Sequence, residues 1–516
     1  MYRFLWDMFL GKKPENSENS QQEEKLKKSL ADNLTMFRSI FDKDETIRYR
    51  EFSMHKFDDR KCCIIFTDGL ANQESISENI VQPLMYSAMD KDTEESFMDF
   101  LMHKVIVFGN MKKEKDVVKL VEAVLYGESI LLVDGLAEAV VMDTKGWNVR
   151  AIEEPLSEGA VRGPREGFNE SILINLSLIK RKIKSPDLKF QFRDVGTRTR
   201  TKVCVCYIES LVNEKILKEV QKRLDDIKID GILESGYIEE FIEDSPLSPY
   251  STVGNTERPD IVAANLLEGR VAIVVDGTPF VLTVPYLFIE YFQANEDYYN
   301  GYIFSSINRM LRFLGFLLST SVPAVYVALA TYHQEMIPTP LLLSIYAARE
   351  GIPFPTIVEA LLMLLAFEIL REGGVRLPQP IGAVISFVGA LILGEAAVNA
   401  KFVSAPIVIV TALTGISNFL LPKMLGPLIV TRTIFLILSA FLGLYGYIFG
   451  LIGLFIHLMS MRSFGIPYML TIGDIKMQDI KDTAVRAPWW LMYYRPKLFN
   501  HKNPIRKKKS ELPEKR

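Results

Sequence analysis

Phe402 to Pro422 reads FVSAPIVIVTALTGISNFLLP, and Thr433 to Met461 reads TIFLILSAFLGLYGYIFGLIGLFIHLMSM. The first window has no formal charge, and the second has only His457. Two similar windows lie upstream: Phe313 to Gln334, with no formal charge, and Ile381 to Ala400, with one acid, Glu395. A helix needs ~20 apolar residues to cover a ~30 Å hydrocarbon core. The alternative is a set of buried helices in a large soluble core. Such helices rarely run this long without charge, and four in one block are rarer still. The stretch from about Leu311 to Met461 therefore predicts an all-α polytopic membrane domain. Everything upstream becomes a soluble region delivered to a membrane.

Bulk composition hides this. The 516-residue chain is 24% charged and 48% hydrophobic with net charge −3, because the polar region upstream dilutes the apolar block. A near-neutral total argues against a nucleic-acid binder. Cys62, Cys63, Cys204 and Cys206 are the only cysteines, and none forms a CxxC pair. A thiol pair or metal site is one reading of them; core packing in a reducing compartment is the simpler one. No cofactor is expected.

Tyr2 to Leu10 is apolar but short and interrupted by Asp7, so it reads as an interfacial helix in preference to a signal peptide. Lys12 to Asn33 is rich in Glu, Lys, Ser, Asn and Gln, and residues 1–44 are assigned to a solvated arm. From about Glu45 to Asn300 the pattern is α/β, and it repeats. Lys61 to Asn72 (KCCIIFTDGLAN) matches Lys202 to Asn213 (KVCVCYIESLVN) at an offset of 141. Leu125 to Val141 (LYGESILLVDGLAEAVV) matches Leu267 to Thr283 (LEGRVAIVVDGTPFVLT) at an offset of 142. Each block reads as strand, turn and helix, then strand, Asp-Gly turn and returning strand. This predicts two similar subdomains, 45–165 and 166–300, followed by a membrane domain at 301–461 and a basic tail at 462–516.

Asp134 and Asp276 invite assignment as a paired acid site, but turn chemistry explains both. The five histidines are scattered, and no HExxH, P-loop, GxGxxG or GxSxG occurs, so no enzyme is expected. The basic run Lys180, Arg181, Lys182, Lys184, Lys189, Arg193, Arg198, Arg200, Lys202 reads as a solvated face, with phosphate or anionic lipid as the alternative.

Several separated motifs carry a family resemblance. They are Val161 to Glu166 (VRGPRE), Thr256-Glu257-Arg258-Pro259-Asp260, Gly269 to Gly277, Glu359 to Pro378, Ser463 to Tyr468, Pro488-Trp489-Trp490 and Arg495-Pro496. In this order, from roughly Glu45 to Pro496, the chain resembles the A subunit of GerA-type spore germination receptors. That resemblance implies the inner membrane of a bacterial endospore, a complex with an integral-membrane B subunit and a lipoprotein C subunit, and a response to nutrient germinants followed by ion release. It further implies that the B subunit recognises the nutrient, while the A subunit forms a homo-oligomer and supplies the conducting path.

The membrane block has its own physical reading. With the lobes cytosolic, Arg486, Arg495, Lys497, Arg506, Lys507, Lys508 and Lys509 place the tail on the same side. That parity favours four full spans, at about 311–332, 381–400, 403–422 and 433–460. Ile337–Ala348 and Pro353–Leu370 become short interfacial or re-entrant helices. The 29-residue last span would be ~44 Å long, so it should tilt or project. Gly443, Gly446, Gly450 and Gly453 draw one stripe for close helix approach, within the subunit or between subunits. Glu395 and Asn399 share a helix face, and Asn418 lies on the next span; all three are candidate pore-facing groups. The family pattern leads one to expect an amide where Glu395 stands and an acid where Asn399 stands. Glu359 and Glu368 point to opposite sides of one helix, so at most one faces a pore. The expected function is an oligomeric, ligand-gated cation-conducting receptor subunit, with a non-conducting scaffold as the rival.

Overall fold

Two five-stranded antiparallel sheets with one shared strand order form the first half of the chain. The computed structural model describes residues 25–54, 59–86, 97–146, 155, 158–159, 162–376, 389, 392–469, 482–483, 485–492, 494–495 and 503–506. The first sheet runs β1-β2-β4-β5-β3, built from Ile47–Met54, Arg60–Thr67, Met111–Glu114 (β3), Ser129–Val133 and Ala139–Met142. The second runs β6-β7-β9-β10-β8, from Leu188–Val195, Thr201–Ile208, Gly254–Thr256 (β8), Val271–Val275 and Val281–Val284. The same order arising twice establishes the duplication at the level of the fold.

Both faces of each sheet are covered, which is why the central strands are apolar without alternation. In the first lobe, α1 (Leu30–Ile40) and α2 (Val117–Leu125) pack on the face carrying Cys63, Ile65, Ile130 and Leu132. In the second, α3 (Ile172–Lys182) covers one face, while α4 (Glu214–Asp226) and α5 (Ser235–Ile242) cover the other. The four cysteines are buried and free. Burial pushes the Cys62 and Cys63 thiols up to about 12, so they behave as small core hydrophobes.

Helix α1 corrects the expectation of a polar arm over residues 1–44. Leu26, Leu30, Leu34, Phe37 and Phe41 recur at helical spacing and are buried against the first sheet. The repeated unit therefore starts with this helix. Its counterpart α3 begins at the equivalent point of the second unit.

The Asp-Gly turns are also more than turns. Asp134 Oδ1 accepts the Leu30 amide at 3.0 Å, and Asp276 Oδ1 accepts the Ile172 amide at 3.1 Å. Each bond spans 104 residues and caps the N-terminus of its unit's first helix. Only the glycines take positive φ, +86° at Gly135 and +89° at Gly277, so the hairpin loops are longer than two residues. Asn72 and Asn213, matched in the sequence, cap the helical turns that follow β2 and β7.

The second half is a bundle of apolar helices: α7 (Tyr302–Thr331), α8 (Thr339–Arg349), α9 (Thr356–Val375), α10 (392–399), α11 (Ala405–Asn418), α12 (Leu425–Leu442) and α13 (Leu444–Ser460). Two segments, Tyr302–Thr331 and Pro422–Leu442, are long and apolar enough to cross a bilayer. The expected last span at 433–460 is not one helix. Gly443 adopts φ +61°, where an L side chain is strained, and the chain folds back on itself there. A Cβ on Gly446 would lie 2.1 Å from the Leu438 carbonyl oxygen, and one on Gly450 would lie 3.0 Å from Phe435. Gly443 is thus the turn, and Gly446 and Gly450 let α13 approach α12 of the same chain. Gly453 alone of the four has open space beside it. The first part of the expected 381–400 span, residues 381–388 with 390 and 391, falls outside the described residues.

Segment 353–370 also departs from expectation. It belongs to α9, a 20-residue helix packed among α7, α11 and α12. The tail returns to the lobes' side, where Arg495 bonds the Leu267 carbonyl and Arg506 pairs with Glu268. There β11 (Arg462–Ser463) and β12 (Ile466–Pro467) form a hairpin whose Phe464 and Ile466 join the second lobe's core.

Candidate functional site: the joint between lobes and helices

Thr256-Glu257-Arg258-Pro259-Asp260 leads from strand β8 into α6 (Pro259–Leu267), with Pro259 in the first turn, where its missing N–H costs nothing. Arg258 is 3% exposed. It holds Asp260 through two bonds, Nε to Oδ1 at 3.1 Å and Nη2 to Oδ2 at 2.9 Å. Its remaining donors reach the carbonyls of Glu158 and Pro164. Asp260 also accepts from Asn295 and Tyr299 on the turn that enters α7. The Glu158 carboxylate accepts from the Thr256 hydroxyl and the Glu257 amide, and pairs with Lys423 at the start of α12. The motif thus ties the second lobe, the inter-lobe segment and two bundle helices into one polar knot.

A second knot anchors α7. Arg309 is fully buried and bonds Asp297 Oδ2 at 2.9 Å and Asp482 Oδ1 at 2.8 Å. Arg312 shares Asp297, and Tyr298 donates to Asp482 at 2.7 Å. Burial raises the Asp482 carboxyl above the usual carboxylate range, while Arg309 opposes this. Arg270 bonds Glu290 at 2.5 Å and Glu268 at 3.4 Å, and Arg506 closes on Glu268. Of these residues, Glu268, Arg270, Glu290, Tyr298, Asp482 and Arg506 border a cavity of 540 Å³ between α6, the entry to α7 and the tail. Among the described residues its carboxylates Glu268, Glu290 and Asp482 are matched by guanidinium partners.

The third contact is a plug. Tyr250, on the loop after α5, is 1% exposed within a cluster that includes Phe288, Leu421, Met424, Leu428 and Leu458. Its hydroxyl meets the Thr431 hydroxyl of α12 at 2.8 Å. The next residue, Arg432, is buried and bonds Glu368 of α9 at 2.7 Å. Arg371 takes the other Glu368 oxygen at 2.7 Å. Glu359, at the far end of α9, is fully buried between Arg349 and the Ser404 amide. Glu359 and Glu368 are therefore both committed within the chain, and the third acid of α9, Glu372, pairs with Arg376.

The other sequence candidates separate. Asn418, a candidate pore-facing group in the sequence, is buried within the chain, with Oδ1 accepting from Ser319 at 2.5 Å, and it packs α11 on α7. Glu395 and Asn399 share one outward face of α10 and are exposed. Glu395 has no ion-pair partner among the described residues. The basic run divides: Lys184, Arg198, Arg200 and Lys202 are exposed as expected, whereas Lys180 is buried on Asp44 at 2.8 Å across the two lobes, and Lys189 on Glu209 and the Ile40 carbonyl. Burial lowers the Lys180 ammonium and Asp44 opposes that shift. Arg181 and Lys182 pair with Glu166, and Arg193 with Asp225. Sequence reasoning missed Tyr250 and Arg432. The lone arginine beside the last apolar window was the available signal for the latter.

A duplicated α/β unit locked through buried charges onto a bundle of apolar helices defines a two-part protein, one half polar and one half fitted to an apolar surrounding. The chain belongs to the Bacillus/Clostridium GerA spore germination protein family, matched over residues 35–498, and within it to the A-subunit type. It is 43% identical over 488 residues to Spore germination protein KA of Bacillus subtilis (strain 168), covering 94% of this chain and 89% of that one. It is 38% identical over 445 residues to Spore germination protein GerLA of Bacillus cereus, covering 86% and 90%. The crystal structure of the N-terminal domain of the A subunit of the Bacillus megaterium spore germinant receptor GerK3 is 34% identical, with a TM-score of 0.42, covering 52% of this chain and 99% of that one.

Proposed function

We propose that this chain is the membrane subunit of a nutrient germinant receptor in the inner membrane of a bacterial endospore, and that it conducts cations as a ligand-gated homo-oligomer. Its lobes and tail face the spore core, and its partners are an integral-membrane B subunit and a lipoprotein C subunit. The observation that carries this reading is Glu395. The α9 acids Glu359, Glu368 and Glu372 find basic partners within the chain, whereas Glu395 lies exposed with Asn399 on the outer face of α10. A bare carboxylate facing lipid is costly, so that face must meet water or another copy. A ring of such carboxylates around an axis favours cations. Germinant binding then shifts a closed-to-open equilibrium through its different affinities for the two states. The joint transmits the shift, because the lobe grips α12 through Tyr250 and Lys423.

The purified oligomer in a planar bilayer should pass cations, and Glu395→Gln should reduce cation selectivity. Unchanged currents in Glu395→Gln would remove Glu395 from this account. A silent oligomer would favour the scaffold reading, which draws on the inward-packed polar groups Asn418, Glu359 and Arg432.

A further inference from the structure

The second lobe carries an apolar stripe that none of the described residues covers. Tyr237 and Phe241 lie one turn apart on α5 and are 42% and 52% exposed. Leu233 before the helix is 70% exposed, and Leu247 after it is 99% exposed. The same stretch is acidic. From Ile229 to Glu257 there are seven acids and no Lys, Arg or His. Glu234, Glu239 and Glu243 take hydrogen bonds only from neutral donors, Glu240 is exposed, and none of the four has an ion-pair partner among the described residues. The stripe also points at the bundle. Ser248, next to Leu247, lies 2.8 Å from His457 near the end of α13. There the exposed face continues through Ile456 and Met459, with open space beside Gly453.

We propose that this face docks an integral-membrane partner, whose Lys/Arg-rich amphipathic segment covers α5 while its adjoining helix lies along α13. An apolar stripe flanked by unpaired carboxylates fits a segment with apolar residues on one side and cations beside them. Anionic lipid headgroups are repelled by the same charges. A second copy offering its own basic helix α4 brings Lys215, Lys218 and Lys222 but no exposed apolar side chain to cover Tyr237 and Phe241. Cytosolic ends of membrane helices are rich in Lys and Arg, so the required chemistry is ordinary for a membrane partner. This inference rests on the membrane placement proposed above.

The test uses the full chain in zwitterionic nanodiscs and two synthetic amphipathic helices of identical leucine spacing, one with lysines and one with glutamates. The lysine peptide should bind, and Phe241→Ser combined with Glu240→Lys should weaken it about tenfold. Asp32→Lys, on the first lobe, should leave binding unchanged. Equal binding to the double variant, or equal binding of the glutamate peptide, overturns the proposal. So does capture of phosphatidylglycerol vesicles that the double variant abolishes. Chain that stays soluble without lipid yet binds the lysine peptide would instead remove the membrane placement and leave the docking face standing.

Discussion

Tyr250 and Thr431 meet hydroxyl to hydroxyl at 2.8 Å, although one belongs to the second lobe and the other to the middle of α12. The tyrosine ring fills the space between α12, α13 and the entry to α7. Any displacement of the lobe must therefore move α12 or leave a hole. Tyr250→Phe removes one net hydrogen bond, about 1 kcal/mol. Tyr250→Ala also leaves a cavity, about 3–5 kcal/mol. Thermal unfolding in detergent should rank them in that order, and the alanine variant should lose germinant response more steeply than folded protein. Equal behaviour of Phe and Ala would show that the plug does not matter.

Arg432 and Glu368 supply the next link. Breaking a buried pair from one side strands a charge, at a cost of roughly 3–5 kcal/mol. Glu368→Gln should be the harsher single change, because it leaves two arginines near a neutral amide. Arg432→Met leaves Glu368 with Arg371. The double variant should recover part of the loss. Additive losses in the double-mutant cycle would mean the two side chains act independently.

Asp134 and Asp276 offer a matched pair of controls. Each caps the first helix of its own unit, so Asp134→Ala and Asp276→Ala should each cost about 1 kcal/mol. Urea unfolding should give similar shifts for both. Loss of function without loss of stability would revive the paired-acid reading.

Glu239 lies half-buried on α5, and its carboxyl is raised, first by burial and then by Glu243 and Glu234. A raised folded value means the stabilising contribution is complete below the ordinary carboxylate range and is lost as pH rises through the folded value. Glu239→Gln should thus stabilise the chain at pH 7 and change little at pH 4. The same increment at both values would assign the effect to packing.

The duplicated lobes were legible because each unit repeats its strands and turns in the same order, down to the Asn72 and Asn213 caps. Helix α1 was not, since Lys12 to Asn33 is polar on average and the apolar spacing from Leu26 to Phe41 straddles its end. The membrane block was read as four spans on a parity argument, and among the described residues Tyr302–Thr331 and Pro422–Leu442 are the two segments long and apolar enough to cross. Pro353–Leu370 was read as interfacial or re-entrant on parity, but Arg349 and Arg432 pair with its acids from other helices, which no local window can foresee. Gly443 looked like one member of a packing stripe, and only its positive φ separates a turn from a contact. Of the candidate site, the Thr256 to Asp260 motif was visible as a motif, while its partners Glu158, Asn295, Tyr299 and Lys423 come from distant parts of the chain.

The central claim is that the carboxyl-terminal helices are embedded in lipid, with the Gly443 turn on the side opposite the lobes. Single cysteines at Leu247, Glu335 and Leu442 in sealed vesicles, probed with a membrane-impermeant thiol reagent, test it most directly, since the four native cysteines are buried. Leu247→Cys should label from one side only, and Glu335→Cys and Leu442→Cys only from the other. Labelling of all three from one side, or a Leu442→Cys shielded from both as in the middle of a single long span, would contradict it.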